Sequence, residues 1–143
     1  MHSGWIGAAA ALLALAAGPA GAETLHFSTM LKGSDETPPN ASKGAGQVTA
    51  SLDTVNKTLS YAATYSGLTG PATMAHFHGP AGPGASAPPV VAVPEKALAN
   101  PMKGSATLTD AQIGELESGK WYFNIHTAAH PGGEIRGQMM KSR

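Results

Sequence analysis

The chain contains no cysteine. That removes disulfides, thiolate metal ligands and cysteine nucleophiles together, and leaves stability to the core and to any bound metal. Charge is scarce and balanced, with 9 Lys and Arg against 9 Asp and Glu in 143 residues. Those charges are scattered. Without a basic stripe the sequence argues against nucleic acid as a partner, and without a polybasic cluster it argues against an anionic membrane surface. The machinery of several enzyme classes is also missing. No pair of carboxylates flanks a plausible cleft, and Glu134 is the one acid near the histidines. The glycines from Gly79 to Gly84 lack the Lys and Ser or Thr of a phosphate loop. Ser86 has none of the context of a nucleophile.

Long apolar runs are confined to the start. Trp5 to Ala17 is almost unbroken Ala, Leu, Ile and Gly, too short for a membrane span of roughly 20 residues. Gly18-Pro19-Ala20-Gly21-Ala22 follows, with Ala20 and Ala22 placed as a signal peptidase requires. No Lys or Arg precedes the run, so its positive end is the α-amino group with His2 at most. The expectation is a cleaved signal over residues 1–22 and an exported domain over 23–143, in the periplasm or outside the cell, with no membrane span after cleavage. Removing 22 of the 143 residues leaves 121, one domain's worth.

What remains alternates with a period of two. Leu25, Phe27 and Thr29 share one side of a strand, as do Val48, Ala50 and Leu52, and then Leu59, Tyr61, Ala63 and Tyr65. Met74 to His78, Val90 to Val93, Gly104 to Leu108, Lys120 to Thr127 and Glu134 to Met139 read as further strands. Asp35 to Gly46 and Gly67 to Pro71 are turn-rich, and Asp53 to Lys57 is a hairpin connection. Gly79 to Pro89 holds three glycines and four prolines, so a central strand cannot run there and a surface loop is expected. The one helix candidate is Thr109 to Ser118, capped by Thr109 or Asp110 and stopped by Gly119. Seven or eight short strands with one short helix predict a mostly β fold, an antiparallel sandwich or barrel of Greek-key or immunoglobulin-like type.

The histidines carry the functional signal. His76 and His78 are two apart, so in a strand both rings face one side while Ala75 and Phe77 face the other. Paired imidazoles suit a borderline ion such as Cu²⁺ or Zn²⁺. In Trp121-Tyr122-Phe123-Asn124-Ile125-His126-Thr127 the apolar residues Trp121, Phe123 and Ile125 take one face, leaving His126 on the other with Tyr122 and Asn124. His130 and Glu134 follow across a Gly/Pro turn. If strands 74–78 and 121–126 lie side by side, His76, His78, His126 and His130 with Glu134 can gather as a copper or zinc site. Met74, Met139 and Met140 would favour copper if close, because a thioether prefers Cu(I). His26 stands outside the cluster. The alternative is that the histidines only buttress loops, with Glu134 and Arg136 an ordinary ion pair, in an envelope domain of structural or protein-interaction role.

Several blocks together resemble a known family. Leu31-Lys32-Gly33-Ser34-Asp35-Glu36-Thr37-Pro38-Pro39, Tyr65-Ser66-Gly67-Leu68, Ala75-His76-Phe77-His78-Gly79-Pro80-Ala81, Asn124-Ile125-His126-Thr127 and Pro131-Gly132-Gly133-Glu134-Ile135-Arg136-Gly137-Gln138 are similar to the CHRD domain. This is the repeat of chordin, found also as a single exported domain in many bacteria. The resemblance spans about residues 24 to 140. It implies an antiparallel β-sandwich or barrel, and it implies that His76, His78, His126, Glu134 and Arg136 belong to the family's recurrent set. In chordin the domain is part of a secreted protein that binds growth factors, but the resemblance implies no general activity for the lone domain. Copper–zinc superoxide dismutases also carry H-x-H on a β-sandwich. Here the further zinc ligands and the disulfide of that arrangement are missing, so a dismutase-like redox enzyme is the third reading. The leading expectation is metal binding without turnover.

Overall fold

Alternation of apolar and polar residues builds every long strand, and pairing of those strands makes one antiparallel sheet. The computed structural model describes residues 23–142; the expected signal segment, 1–22, lies outside the described residues. Among the described residues the strands are β1 (Thr24–Lys32), β2 (Ala45–Asp53), β3 (Thr58–Ser66), β4 (Ala72–His78), β5 (Pro89–Ala92), β6 (Met102–Thr107), β7 (Tyr122–Thr127), β8 (Ile135–Gln138) and β9 (Met140–Lys141), with one α-helix, α1 (Asp110–Glu117), between β6 and β7. The spatial order is β5-β4-β7-β8-β1-β2-β3-β6, with β9 added to β1. The sheet curls until it is nearly closed into a barrel. The mostly β fold with one short helix is as the sequence predicts.

The inward positions are those the period of two selects. Phe27 and Leu31 of β1, Val48, Ala50 and Leu52 of β2, and Leu59, Tyr61 and Ala63 of β3 are buried. At the centre Phe77 meets Phe123, Tyr61 and Trp121, with ring centroids 4.8, 5.2 and 5.8 Å apart. The first two are edge-to-face contacts, which add to the burial of the rings themselves. Truncating Phe77 in such a core would cost about 3–5 kcal/mol.

β7 departs from simple alternation, because all six of its residues are buried. Its inner face packs into the core. Its outer face, Tyr122, Asn124 and His126, is covered by the Gly79–Pro88 loop and by the turn after β7. That loop is tied down despite its composition. Gly79 N–H donates to Pro88 O, Ala81 N–H to Lys120 O, and Ala87 N–H to the Tyr122 hydroxyl.

The helix begins with a capping box. Gln112 N–H donates to Thr109 Oγ1 and Thr109 N–H to Gln112 Oε1, which settles the cap on Thr109. Gly119 at φ +74° ends it, and Leu116 is its buried anchor. β9 is not legible in the sequence, since two residues carry no periodicity. The last long strand is also shorter than expected. Glu134 precedes it, and Met139 lies between β8 and β9 with its side chain in the core.

Candidate metal centre

The β4–β7 register brings the histidines together. Met74 pairs with His126, His76 with Asn124, and His78 with Tyr122. Directly opposed residues of an antiparallel pair share a face, so six side chains line one outer patch. Ala75 and Phe77 point into the core beneath it.

Among the described residues His76, His78 and His126 form a group whose ligand nitrogens all lie within 4.8 Å of one another. The closest pair is His76 Nδ1 and His126 Nε2, at 3.3 Å. Two nitrogens bonded to one tetrahedral ion at about 2.05 Å are separated by about 3.3 Å. That pair is therefore already spaced as an edge of a coordination tetrahedron. His78, within 4.8 Å of the other two, would have to close in by up to about 1.5 Å to complete three nitrogens at such bond lengths.

Backbone carbonyls orient two of the rings. His126 Nδ1 lies 2.9 Å from Pro131 O and His78 Nδ1 lies 2.8 Å from Ala87 O. A carbonyl only accepts, so each Nδ1 carries the proton. In the neutral ring Nε2 then keeps its lone pair. This is the outer hydrogen bond that metal-binding histidines use to set their tautomer. His78 Nε2 rests against the side-chain amide of Asn124, 2.9 Å from Oδ1. A neutral ring there needs the amide NH₂, which a half-turn of the Asn side chain supplies. The His78 ring also stacks on Tyr122, with centroids 4.6 Å apart and planes 6° from parallel.

Electrostatics favour uncharged rings at His76 and His126. Burial pushes His76 below the usual histidine range, and the neighbouring His126 and His78 push it further. Burial likewise lowers His126 and His78 adds to the shift, against an opposing pull from the Pro131 carbonyl. Neutral imidazole is the ligating form.

The other expected ligands lie elsewhere. Glu134 is fully buried and outside the trio. Its carboxylate accepts from Ser42 Oγ at 2.7 Å, Thr127 Oγ1 at 2.8 Å, Thr69 N–H at 3.0 Å and Thr69 Oγ1. Burial alone would raise this carboxyl, but those donors outweigh it and hold it below the usual carboxylate range. It pins the 42 and 69 turns to β7. His130 is half-buried in the turn after β7, outside the trio, and holds that turn through backbone bonds to Thr127 and Gly133. His26 is exposed on β1.

Glu134 and Arg136 are not an ion pair. Arg136 lies over the Tyr122 ring, 3.4 Å from its centroid. Its Nη1 donates to Thr37 Oγ1 at 2.6 Å and its Nη2 to Ala85 O at 2.8 Å. Its charge acts on Glu36, a residue that pattern reading missed although it stands in the Asp35-Glu36-Thr37-Pro38-Pro39 block. Glu36 is buried beside Asn124 and Gly133. Burial raises its pKa to about 7, against the opposing pull of Arg136 and the Asn124 amide. Gly133 has to be glycine here. Its φ is +124°, and a Cβ would stand 2.2 Å from Glu36 Oε2.

Three imidazoles on one patch, two with their tautomers set by carbonyls, offer a borderline metal three nitrogens and one open position. No described helix is long and apolar enough to cross a membrane. Against known proteins, the family model for the CHRD domain matches residues 27–139, and the chain belongs to that family. Searches of the curated proteins and of the solved structures found no match.

Proposed function

We propose that this CHRD-family chain is an exported domain that binds one divalent metal ion, copper or zinc, through His76, His78 and His126, without turnover. The observation that supports it is the 3.3 Å approach of His76 Nδ1 to His126 Nε2, with His78 at hand and two rings oriented by carbonyls. Export, to the periplasm or beyond, rests on the apolar segment and small-residue site within residues 1–22. Three ligands hold an ion and leave a position for water or a fourth group.

A second reading rests on the same rings. His78 stacked on Tyr122 and bonded to Ala87 O clamps the 79–88 loop, and His126 bonded to Pro131 O clamps the turn after β7. In that case the histidines shape a surface for an envelope protein, and no metal is needed.

Isothermal titration of tag-free residues 23–143 with Cu²⁺ and with Zn²⁺ at pH 7.5 separates the two. One saturable equivalent of micromolar or tighter affinity, lost in His78→Ala, is the expected result. Only weak, non-saturating heats, unchanged in that variant, would leave the loop-clamping role.

A further inference from the structure

The methionines of the described chain fall into three sets. Met102 and Met139 are fully buried in the core. Met30 on β1 and Met140, paired to Ser28 of β1, are exposed on strands that carry none of the three histidines. Met74 alone is on β4, in line with His76 and His78 and directly across from His126.

That placement depends on a bulge. Between Ala72 and Met74 the chain advances two residues while β7 advances one, from Thr127 to His126. The extra residue, Thr73, sets Met74 opposite His126. Bulges of this kind re-aim a side chain at the end of a paired segment. The other edge of β4 is covered by β5 at His76, which pairs with Ala92, and by Val93, whose N–H donates to Ala75 O, and no further. Met74 lies beyond that cover and is 45% exposed. It is thus a long, unbranched thioether at the open side of a patch of three imidazoles. Opposed residues hold their Cβ atoms about 4.5–5.5 Å apart, within the sweep of a methionine side chain with three rotatable bonds.

We infer that Met74 supplies the fourth ligand of the histidine site and that the site selects copper, holding Cu(I) as well as Cu(II). This rests on the metal-binding reading above. Selection follows from ligand softness. A thioether adds strength for Cu(I) and little for Zn²⁺, which takes imidazole, thiolate or carboxylate. An uncharged set of three imidazoles and one thioether also suits the monovalent ion, which needs less counter-charge than a divalent one.

The test uses residues 23–143, wild type, Met74→Leu and His126→Ala. Each is titrated anaerobically with Cu(I) against a chromophoric Cu(I) chelator, and separately with Zn²⁺. Circular dichroism checks the fold, and leucine at a half-exposed strand position leaves it intact. Met74→Leu is expected to weaken Cu(I) at least about tenfold while leaving Zn²⁺ within about twofold. X-ray absorption of the Cu(I) protein should show a sulfur neighbour that Met74→Leu lacks. Equal Cu(I) affinity in Met74→Leu, or no sulfur neighbour in the wild type, overturns the Met74 assignment while His126→Ala still reports on the histidine site. Full metal binding by His126→Ala, or none by the wild type, overturns the site itself and Met74 with it.

Discussion

The Asn124 side-chain amide lies between two groups, one end 3.5 Å from Glu36 Oε2, the outer limit of a hydrogen bond, and the other 2.9 Å from His78 Nε2. One side chain thus links the histidine patch to a buried carboxyl held near neutral pKa. Glu36 in turn feels the charge of the Arg136 that lies across Tyr122. The patch is backed by a polar network in which the protonation of one group matters to the next.

Glu36 should make stability fall as pH rises. Its folded pKa, about 7, lies above the ordinary 4.5, so the folded state binds the proton more tightly. The contribution is fully present below pH 4.5 and is lost as pH rises through about 7. Glu36→Gln removes the titrating group. Urea denaturation at pH 4.5 and pH 8 should show the variant gaining on wild type by up to about 3 kcal/mol across that range. A difference that stays flat with pH would contradict the raised pKa.

His76 and His126 act with the opposite sign. Their folded pKa values lie below 6.5, so the unfolded chain binds protons first and stability drops as pH falls from 6.5 through the folded values. In the metal-free protein the imidazole NMR signals of both rings should titrate with midpoints below 6.5. Metal affinity should hold down to pH 6.5 and weaken only beneath it, because ligation needs the neutral ring. Midpoints at or above 6.5 for both rings would refute this.

Glu134 should matter to folding and not to metal. Glu134→Ala strands Ser42, Thr69 and Thr127 without their shared acceptor. The expected loss is about 2–3 kcal/mol, since hydrogen bonds to a charged group are among the stronger ones. Copper and zinc affinities, measured on the folded fraction, should stay within about twofold, as the carboxylate lies outside the trio. A large loss of affinity at unchanged stability would return Glu134 to the ligand set.

Arg136→Lys should loosen the 79–88 loop. A lysine keeps the charge but cannot both lie flat on Tyr122 and bond Thr37 and Ala85 O. The cost should be about 1–3 kcal/mol. Amide exchange at Ala87, whose N–H bonds the Tyr122 hydroxyl, should quicken. Unchanged exchange there would show that the loop is held without Arg136.

Periodicity made much of the frame legible. A strand's side chains alternate whatever its partners are. His76 and His78 could therefore be placed on one face, and Phe123 and Ile125 opposite His126, from spacing alone. The helix could be read from Thr109, Gln112 and Gly119, because a capping box is a contact between residues three apart. The family blocks carried the same frame.

Partnership across the chain was not legible. The sequence placed Glu134 near the histidines because it is near in number, but beyond Thr127 its partners are Ser42 and Thr69, 92 and 65 residues away. Arg136 turned to Tyr122 and Thr37 rather than to Glu134, and Asn124 to Glu36, 88 residues distant. Met74 faces His126 through a one-residue bulge that no local pattern announces. Alternation and capping are properties of a few consecutive residues and their backbone, so the sequence by itself determined them. Register, bulges and the pairing of buried polar groups arise only when distant strands share one sheet and every buried charge must find a partner, so the tertiary structure alone decided which histidines meet and what stands behind them.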